Sequence, residues 1–187
     1  MILETPRLFL IHPPLEVLKT RLLKDHFTAF VADLNLEVTF PPEYPGDVLE
    51  FLESWTAHVE LHGHPSDQPG GCVIHKLERL AIGQIGFKGQ PDTDGSVEIG
   101  YGLNATHHNL GYGTEAVGAM VNWALEFGFA KRVSAATLMS NLASNRLLEK
   151  LEFVQVRTRF DAEEGRDLIV WERGRTVIAS TLEQSRC

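Results

Sequence analysis

The sequence predicts an α+β protein in which a mixed, mostly antiparallel central sheet is flanked by helices. Two observations predict it. Three strand-like runs follow one another in mid-chain, and the last two are joined by Asp92-Thr93-Asp94-Gly95, a strong hairpin signal. Helical periodicities lie before and after that meander instead of alternating with every strand, which excludes a doubly wound order.

In chain order, residues 7–12 alternate loosely between Pro6 and Pro13-Pro14 and read as a first strand. From Pro14, which suits a first helical turn, Leu15, Leu18, Leu22, Phe27, Phe30 and Leu34 recur at helical spacing, so one helix is expected across 15–34. Pro41, Pro42 and Pro45 forbid regular structure. Asp47 and Glu50 resemble a capping box, with Val48, Leu49, Leu52, Trp55 and Val59 as the stripe of a second helix. Residues 63–71 form a Gly/Pro-rich loop. The three strands of the meander are expected at 72–78, 80–88 and 96–103.

A helix carrying Val117, Met120, Val121, Ala124 and Leu125 follows, ending near Gly128. A strand is expected at 132–139 and a helix at 141–151 with Leu147, Leu148 and Leu151. Two final strands at 153–160 and 167–171 flank a turn at 161–165. Residues 1–176 are expected to form a single domain, with 177–187 as a frayed or loosely docked tail.

The chain has 187 residues, 43% hydrophobic and 22% charged, ordinary values for a protein with a sizeable core. A formal charge of −8 argues against a nucleic-acid partner and is compatible with a basic or amine-bearing one. Two cysteines, Cys72 and the terminal Cys187, make no disulfide framework. With no signal sequence and no long apolar run, a cytoplasmic location without membrane contact is expected.

The chemistry concentrates at His108-Asn109-Leu110-Gly111-Tyr112-Gly113-Thr114-Glu115-Ala116. Two glycines sit between a strand and a helix. There, backbone N–H groups with little side-chain cover make an anion site. No Gly-Lys-Ser/Thr closes the turn, so it is not a Walker A loop. A third glycine is missing, so it is not the dinucleotide fingerprint. A tight strand-to-helix bend with no ligand is the alternative. His58, His62 and His64 cluster without a further ligand, so no metal is expected.

Taken with its neighbours, the glycine turn resembles the pyrophosphate loop, Gln/Arg-x-x-Gly-x-Gly/Ala, of the Gcn5-related N-acetyltransferase (GNAT) superfamily. Within it, the sequence resembles the RimJ/RimL-type branch of protein acetyltransferases. Thr114-Glu115-Ala116, the upstream Glu98-Ile99-Gly100-Tyr101, the downstream Asn141-x-x-Ser144 and Leu148-Glu149-Lys150-Leu151-x-Phe153, and Thr5-Pro6-Arg7-Leu8-x-Leu10 come in that branch's order. The likeness covers nearly the full length.

The resemblance implies acetyl-CoA as cosubstrate and a sheet splayed between the fourth and fifth predicted strands, 96–103 and 132–139. The pantetheine arm would lie in that gap along Tyr101 to Leu103. Backbone from Asn109 through Leu110, Gly111, Tyr112 and Gly113 to Thr114 would hold the pyrophosphate beside His108. Asn141 would contact the arm or the product amide. Glu98 is the implied base. The family's usual acid, a tyrosine, is replaced by Leu148, and Ser144 takes the place of the branch's serine. A backbone N–H near Tyr101 would serve the oxyanion, and Phe40, Tyr44 and Trp55, which by themselves read as core, would form a substrate-side wall.

Ordinary alternatives stand beside these roles. Glu98 also reads as a strand carboxylate paired with Arg or Lys, and Ser144 as a helix serine bonded to backbone. His108 and Asn109 depart from the family's Gln/Arg and frequent Gly. The change at His108 removes a permanent charge from the loop. Glu152 replaces a glycine whose φ is expected to be positive.

The implied activity is direct acetyl transfer in a ternary complex to a primary amine. A protein or peptide N-terminus is the first acceptor considered and a small-molecule amine the second. A homodimer is possible, since dimers occur in this branch. Two competing readings are a non-catalytic acyl-CoA-binding or regulatory protein on the same fold and a relative that binds another nucleotide.

Overall fold

The computed structural model describes residues 1–161 and 165–175. Residues 162–164 of the expected turn and 176–187, which include the expected tail, lie outside the described residues. The described elements are β1 (Ile2–Glu4), β2 (Leu8–Ile11), α1 (Leu15–Leu23), β3 (Phe27–Val31), β4 (Leu36–Phe40), α2 (Leu52–His62), β5 (Gly71–His75), β6 (Leu80–Phe87), β7 (Ser96–Leu103), α3 (Tyr112–Glu126), β8 (Arg132–Leu138), α4 (Leu142–Lys150), β9 (Val154–Asp161) and β10 (Arg166–Gly174).

The strands run β1-β2-β5-β6-β7-β8-β10-β9, every neighbouring pair antiparallel except β7 and β8. The α+β class and the mostly antiparallel sheet are as expected.

The region 15–34 is a correction. α1 stops at Leu23, where Lys24 is extended, and Phe27–Val31 pairs with Leu36–Phe40 around Asn35, whose φ is 50°. Phe27 and Val31 are buried while Thr28 and Phe30 face solvent, a period of two. Phe30 is 58% exposed, so it never joined an apolar helical stripe. Aromatic and β-branched residues on both arms favour the pleated pairing. β4 then meets β6 at Thr39 and Leu80. β1, three residues long, carries too short a pattern to be read locally. The second helix enters through a 3-10 turn, Gly46–Phe51, with Pro45 at its cap position.

α3 lies on one face of the sheet. Val97, Ile99, Val117, Met120, Val121, Val133 and Leu148 are at most 3% exposed in one cluster there. Each large aliphatic side chain so buried stabilises the fold by about 1.5–3 kcal/mol. Because side chains alternate along a strand, Ile11, Cys72 and Ile74 point to the opposite face. They pack there with Val38, Phe40 and Tyr44. Phe40 and Tyr44 are therefore core. Leu18, Leu52 and Val59 join α1 to α2.

Candidate active site

β7 and β8 pair only at Ser96 with Arg132, Val97 with Val133 and Glu98 with Ser134. Past Glu98, no ladder joins β7 to β8, and the two strands part. This is the splay expected between the fourth and fifth predicted strands, here the seventh and eighth. It exposes strand backbone from Tyr101 to Leu103 toward the gap.

The glycine turn stands at the mouth of that gap. Asn109 and Gly111 have φ of 61° and 82°, and α3 begins at Tyr112 with no side-chain cap. Its first-turn N–H groups have no intrahelical partner and point out of the helix end. A Cβ on Gly113 would come within 2.9 Å of Leu147 Cδ1, so a larger residue there would push the Leu147 side chain aside. Tyr112 turns its ring inward, its hydroxyl 3.0 Å from His75 Nε2, and offers the loop only backbone. His108 Nε2 donates to Leu103 O at 2.8 Å, tying the loop to the end of β7. Leu110 is 53% exposed.

Glu115 anchors this turn to the N-terminal strand. Its Oε1 accepts from Thr5 Oγ1 at 2.6 Å and Arg7 N at 2.8 Å, and its Oε2 from Arg7 Nε at 2.6 Å. Arg7 also donates to Leu110 O and lies 4.3 Å over the Tyr112 ring. Burial raises the Glu115 carboxyl, but the donors from Thr5 and Arg7 outweigh it and hold the group below its ordinary value. Two sequence blocks more than a hundred residues apart are thus one physical unit.

Two further expected residues meet inside the gap. The Tyr101 hydroxyl is enclosed and no hydrogen bond of ordinary geometry reaches it. The Ser144 side chain lies close enough to interact with it. Burial pushes this phenol up to about 12, with Ser144 offsetting part of the rise, so the hydroxyl keeps its proton at neutral pH. Asn141 caps α4, its Oδ1 accepting from Ser144 N at 3.1 Å. Leu148 is wholly buried.

A buried chain of bonds holds α4 against β8 and β10. Trp171 Nε1 donates to Thr137 Oγ1, Thr137 Oγ1 to Asn145 Oδ1 at 2.6 Å, and Asn145 Nδ2 to Met139 O. Neither this network nor the Tyr101 hydroxyl was foreseen, because each needs partners distant in sequence.

Glu98 stands apart from that group. Val97 and Ile99 face α3, so Glu98 faces the other side of the sheet. Its Oε1 accepts from Lys88 Nζ at 2.7 Å. This is the ordinary carboxylate pairing weighed for it. Glu98 also lines a cavity of about 310 Å³ on that face. Trp55 packs edge-on to His64 at 6.4 Å. Among the described residues, no group of three or more His, Cys, Asp or Glu is placed to hold a metal, and no helix is long and apolar enough to cross a membrane.

Comparison with known proteins bears on this geometry. The acetyltransferase (GNAT) domain model matches residues 20–154, from within α1 to the start of β9. N-acetyltransferase YjdG of Bacillus subtilis (strain 168) is 30% identical over 155 residues, covering 82% of this chain and 90% of that protein. A GNAT-family acetyltransferase from Bacillus anthracis superposes with a TM-score of 0.66 at 18% identity, covering 93% of this chain and 98% of that one. The ribosomal L7/L12 alpha-N-protein acetyltransferase RimL in complex with coenzyme A superposes with a TM-score of 0.65 at 16% identity, over 93% and 98% of the chains. At these identities the structural likenesses speak for the fold.

Proposed function

This chain belongs to the GNAT acetyltransferase family, and from that premise we propose that it transfers the acetyl group of acetyl-CoA to a primary amine. A protein or peptide N-terminus is the first acceptor class. The observation that carries the reading is the parting of β7 from β8 beside an uncapped helix N-terminus. A pyrophosphate at the first turn of α3 and an extended pantetheine in the gap match those two features. RimL, a fold relative, is by its own description an α-N-protein acetyltransferase that binds coenzyme A.

Acetyl-CoA supplies an activated carbonyl and a thiolate leaving group. The chain's residues do the rest. N–H groups of Gly111 to Thr114 bind the diphosphate. The Asn141 carboxamide, its oxygen engaged as a cap, keeps its NH2 free to donate. Ser144 donates to the departing sulfur. The protonated Tyr101 phenol donates into the same space, to Ser144 or to the developing oxyanion. Glu98 takes the ammonium proton from the opposite face, a step that requires release or sharing of its bond to Lys88. Nucleophile and leaving group then sit on opposite sides of one splayed sheet.

The Glu98–Lys88 pair and the apolar Leu148 favour a second reading, a non-catalytic acyl-CoA-binding protein. One experiment separates the two. Melting is followed with acetyl-CoA, CoA and NAD separately, and thiol release is followed with an amine panel. Both CoA species are expected to raise Tm, and NAD is not. Ser144→Ala and Glu98→Gln should each slow transfer by about 10²-fold or more while the acetyl-CoA shift persists. No shift with either CoA species at about millimolar concentration removes the cosubstrate. Wild-type rates in both variants remove the site roles.

A further inference from the structure

Building on the acetyltransferase reading, we propose that the open face of β7, β8, β10 and β9 is an acceptor subsite. It selects amines bearing an anionic group, a peptide N-terminus followed by an acidic side chain fitting best, and Arg157 and Arg159 hold the anion.

The cavity on this face, about 310 Å³, is walled by sheet residues and the β6–β7 turn, with no helix among the described residues lining it. Its position follows from register. Ser134 is the last β8 residue paired to β7, opposite Glu98. Two residues further along β8, Ala136 stands opposite Val170, and Val170 opposite Arg157. Leu138 likewise stands opposite Leu168, and Leu168 opposite Arg159. Both arginines are therefore level with the stretch where β7 has left β8. They share a face with Glu98, because Trp171 and Ile169 point to the α3 side. The floor between them is small: Ala136, with Gly100 beyond the gap, where a Cβ would meet only Lys88 Cε, at 3.5 Å.

The charges there are unequally engaged. Glu98 is paired with Lys88, Asp92 Oδ1 accepts from the N–H groups of Asp94 and Ser96, and Arg132 approaches Glu172 at 3.8 Å. Arg157 and Arg159 have no ion pair among the described residues. The remaining carboxylates, Asp92 and Asp94, lie at the β6–β7 turn, so the two neighbouring guanidiniums on β9 are the groups of this lining that would hold an anion. A guanidinium binds carboxylate through two parallel N–H bonds.

The spacing names the ligand. From β8, at the gap, to β9 is two strand spacings, about 10 Å. An extended peptide advances about 3.3 Å per residue. An amine held in the gap beside Glu98 thus brings its second to fourth side chains to the two arginines. A lone small amine spans too little to feel them.

The test is thiol release with peptides sharing one N-terminal residue and carrying Asp, Ala or Lys at positions two to four. Wild type is expected to favour the Asp series over the Ala series by about tenfold or more in kcat/KM, with the ratio falling as salt rises. In R157A/R159A that ratio should drop to about twofold or less, and Arg157→Lys/Arg159→Lys should retain part of it. Acetyl-CoA melting shifts in both variants report that the fold and cosubstrate site persist. Equal use of the Asp and Ala series by wild type, or an unchanged ratio in R157A/R159A, overturns this subsite alone. A wild-type chain that binds acetyl-CoA but acetylates no peptide overturns the peptide-acceptor reading, and this subsite with it.

Discussion

Glu152 occupies the left-handed region with φ 62°, where the family pattern has glycine. A side chain there costs roughly 1–2 kcal/mol, partly offset because glycine loses more chain entropy on folding. Glu152 is 79% exposed and reaches Arg173 only at 3.9 Å, so its ion pair contributes little. Glu152→Gly is expected to raise stability by about 1 kcal/mol, a Tm rise of about 2–4 °C. A lower Tm in calorimetry would count against strain at this position. The strain was foreseen because a motif tied one residue type to one backbone angle. The Tyr101 hydroxyl was not foreseen: nothing local to Gly100-Tyr101-Gly102 says that burial would leave it without a full hydrogen bond beside Ser144.

Among the elements, those whose side-chain period has one explanation were read correctly. β7 falls on 96–103 as expected, and α3 and α4 lie within a residue or so of their expected cores. The segment 27–34 failed because Phe27, Phe30 and Leu34 fit helical spacing as well as Phe27, Ala29 and Val31 fit a strand. Pairing with Leu36–Phe40, and contact of β4 with β6, decided for the strand.

Attachment between elements was equally hidden. Glu115 ties β2 and its approach to the α3 turn through three donors. Glu115→Ala strands these donors and is expected to cost about 2 kcal/mol, lowering Tm by about 4–8 °C. The same change should weaken acetyl-CoA binding, because Arg7 and the loop lose their common anchor. A melting curve and a CoA titration that both match wild type would show that the tie is ornamental.

Across the fold, acid should act in two stages. His12 and His64 stack at 4.8 Å, and their Nε2 atoms lie 3.1 Å from Gln68 O and 2.7 Å from Pro13 O. Burial is the main cause holding both below the ordinary histidine value of 6.5. The folded state then binds fewer protons than the unfolded chain once pH drops below that value, so stability falls as pH decreases through the depressed folded values. Glu115 is also depressed, from 4.5. Its contribution is present above that value and is lost as pH falls through the folded one. Tm is expected to decline from about pH 6.5 downward and again below about pH 4.5, the first decline shrinking in His64→Asn. A Tm constant from pH 7.5 to 5 contradicts the histidine assignment.

Local pattern alone carried the fold class, most elements, the glycine turn before α3 and the family, since periodicity, turn chemistry and short motifs are properties of neighbouring residues. Long-range contact decided everything that depends on which strands part and which faces meet: the β3–β4 hairpin, the Thr5–Arg7–Glu115 anchor, the meeting of Tyr101 with Ser144, and the separation of Glu98 from them by the thickness of a sheet. Alternation sends Glu98 and Tyr101 to opposite faces only once β7 is paired and its neighbours are buried, and that pairing is made with β6 and β8, elements whose registers no local pattern states.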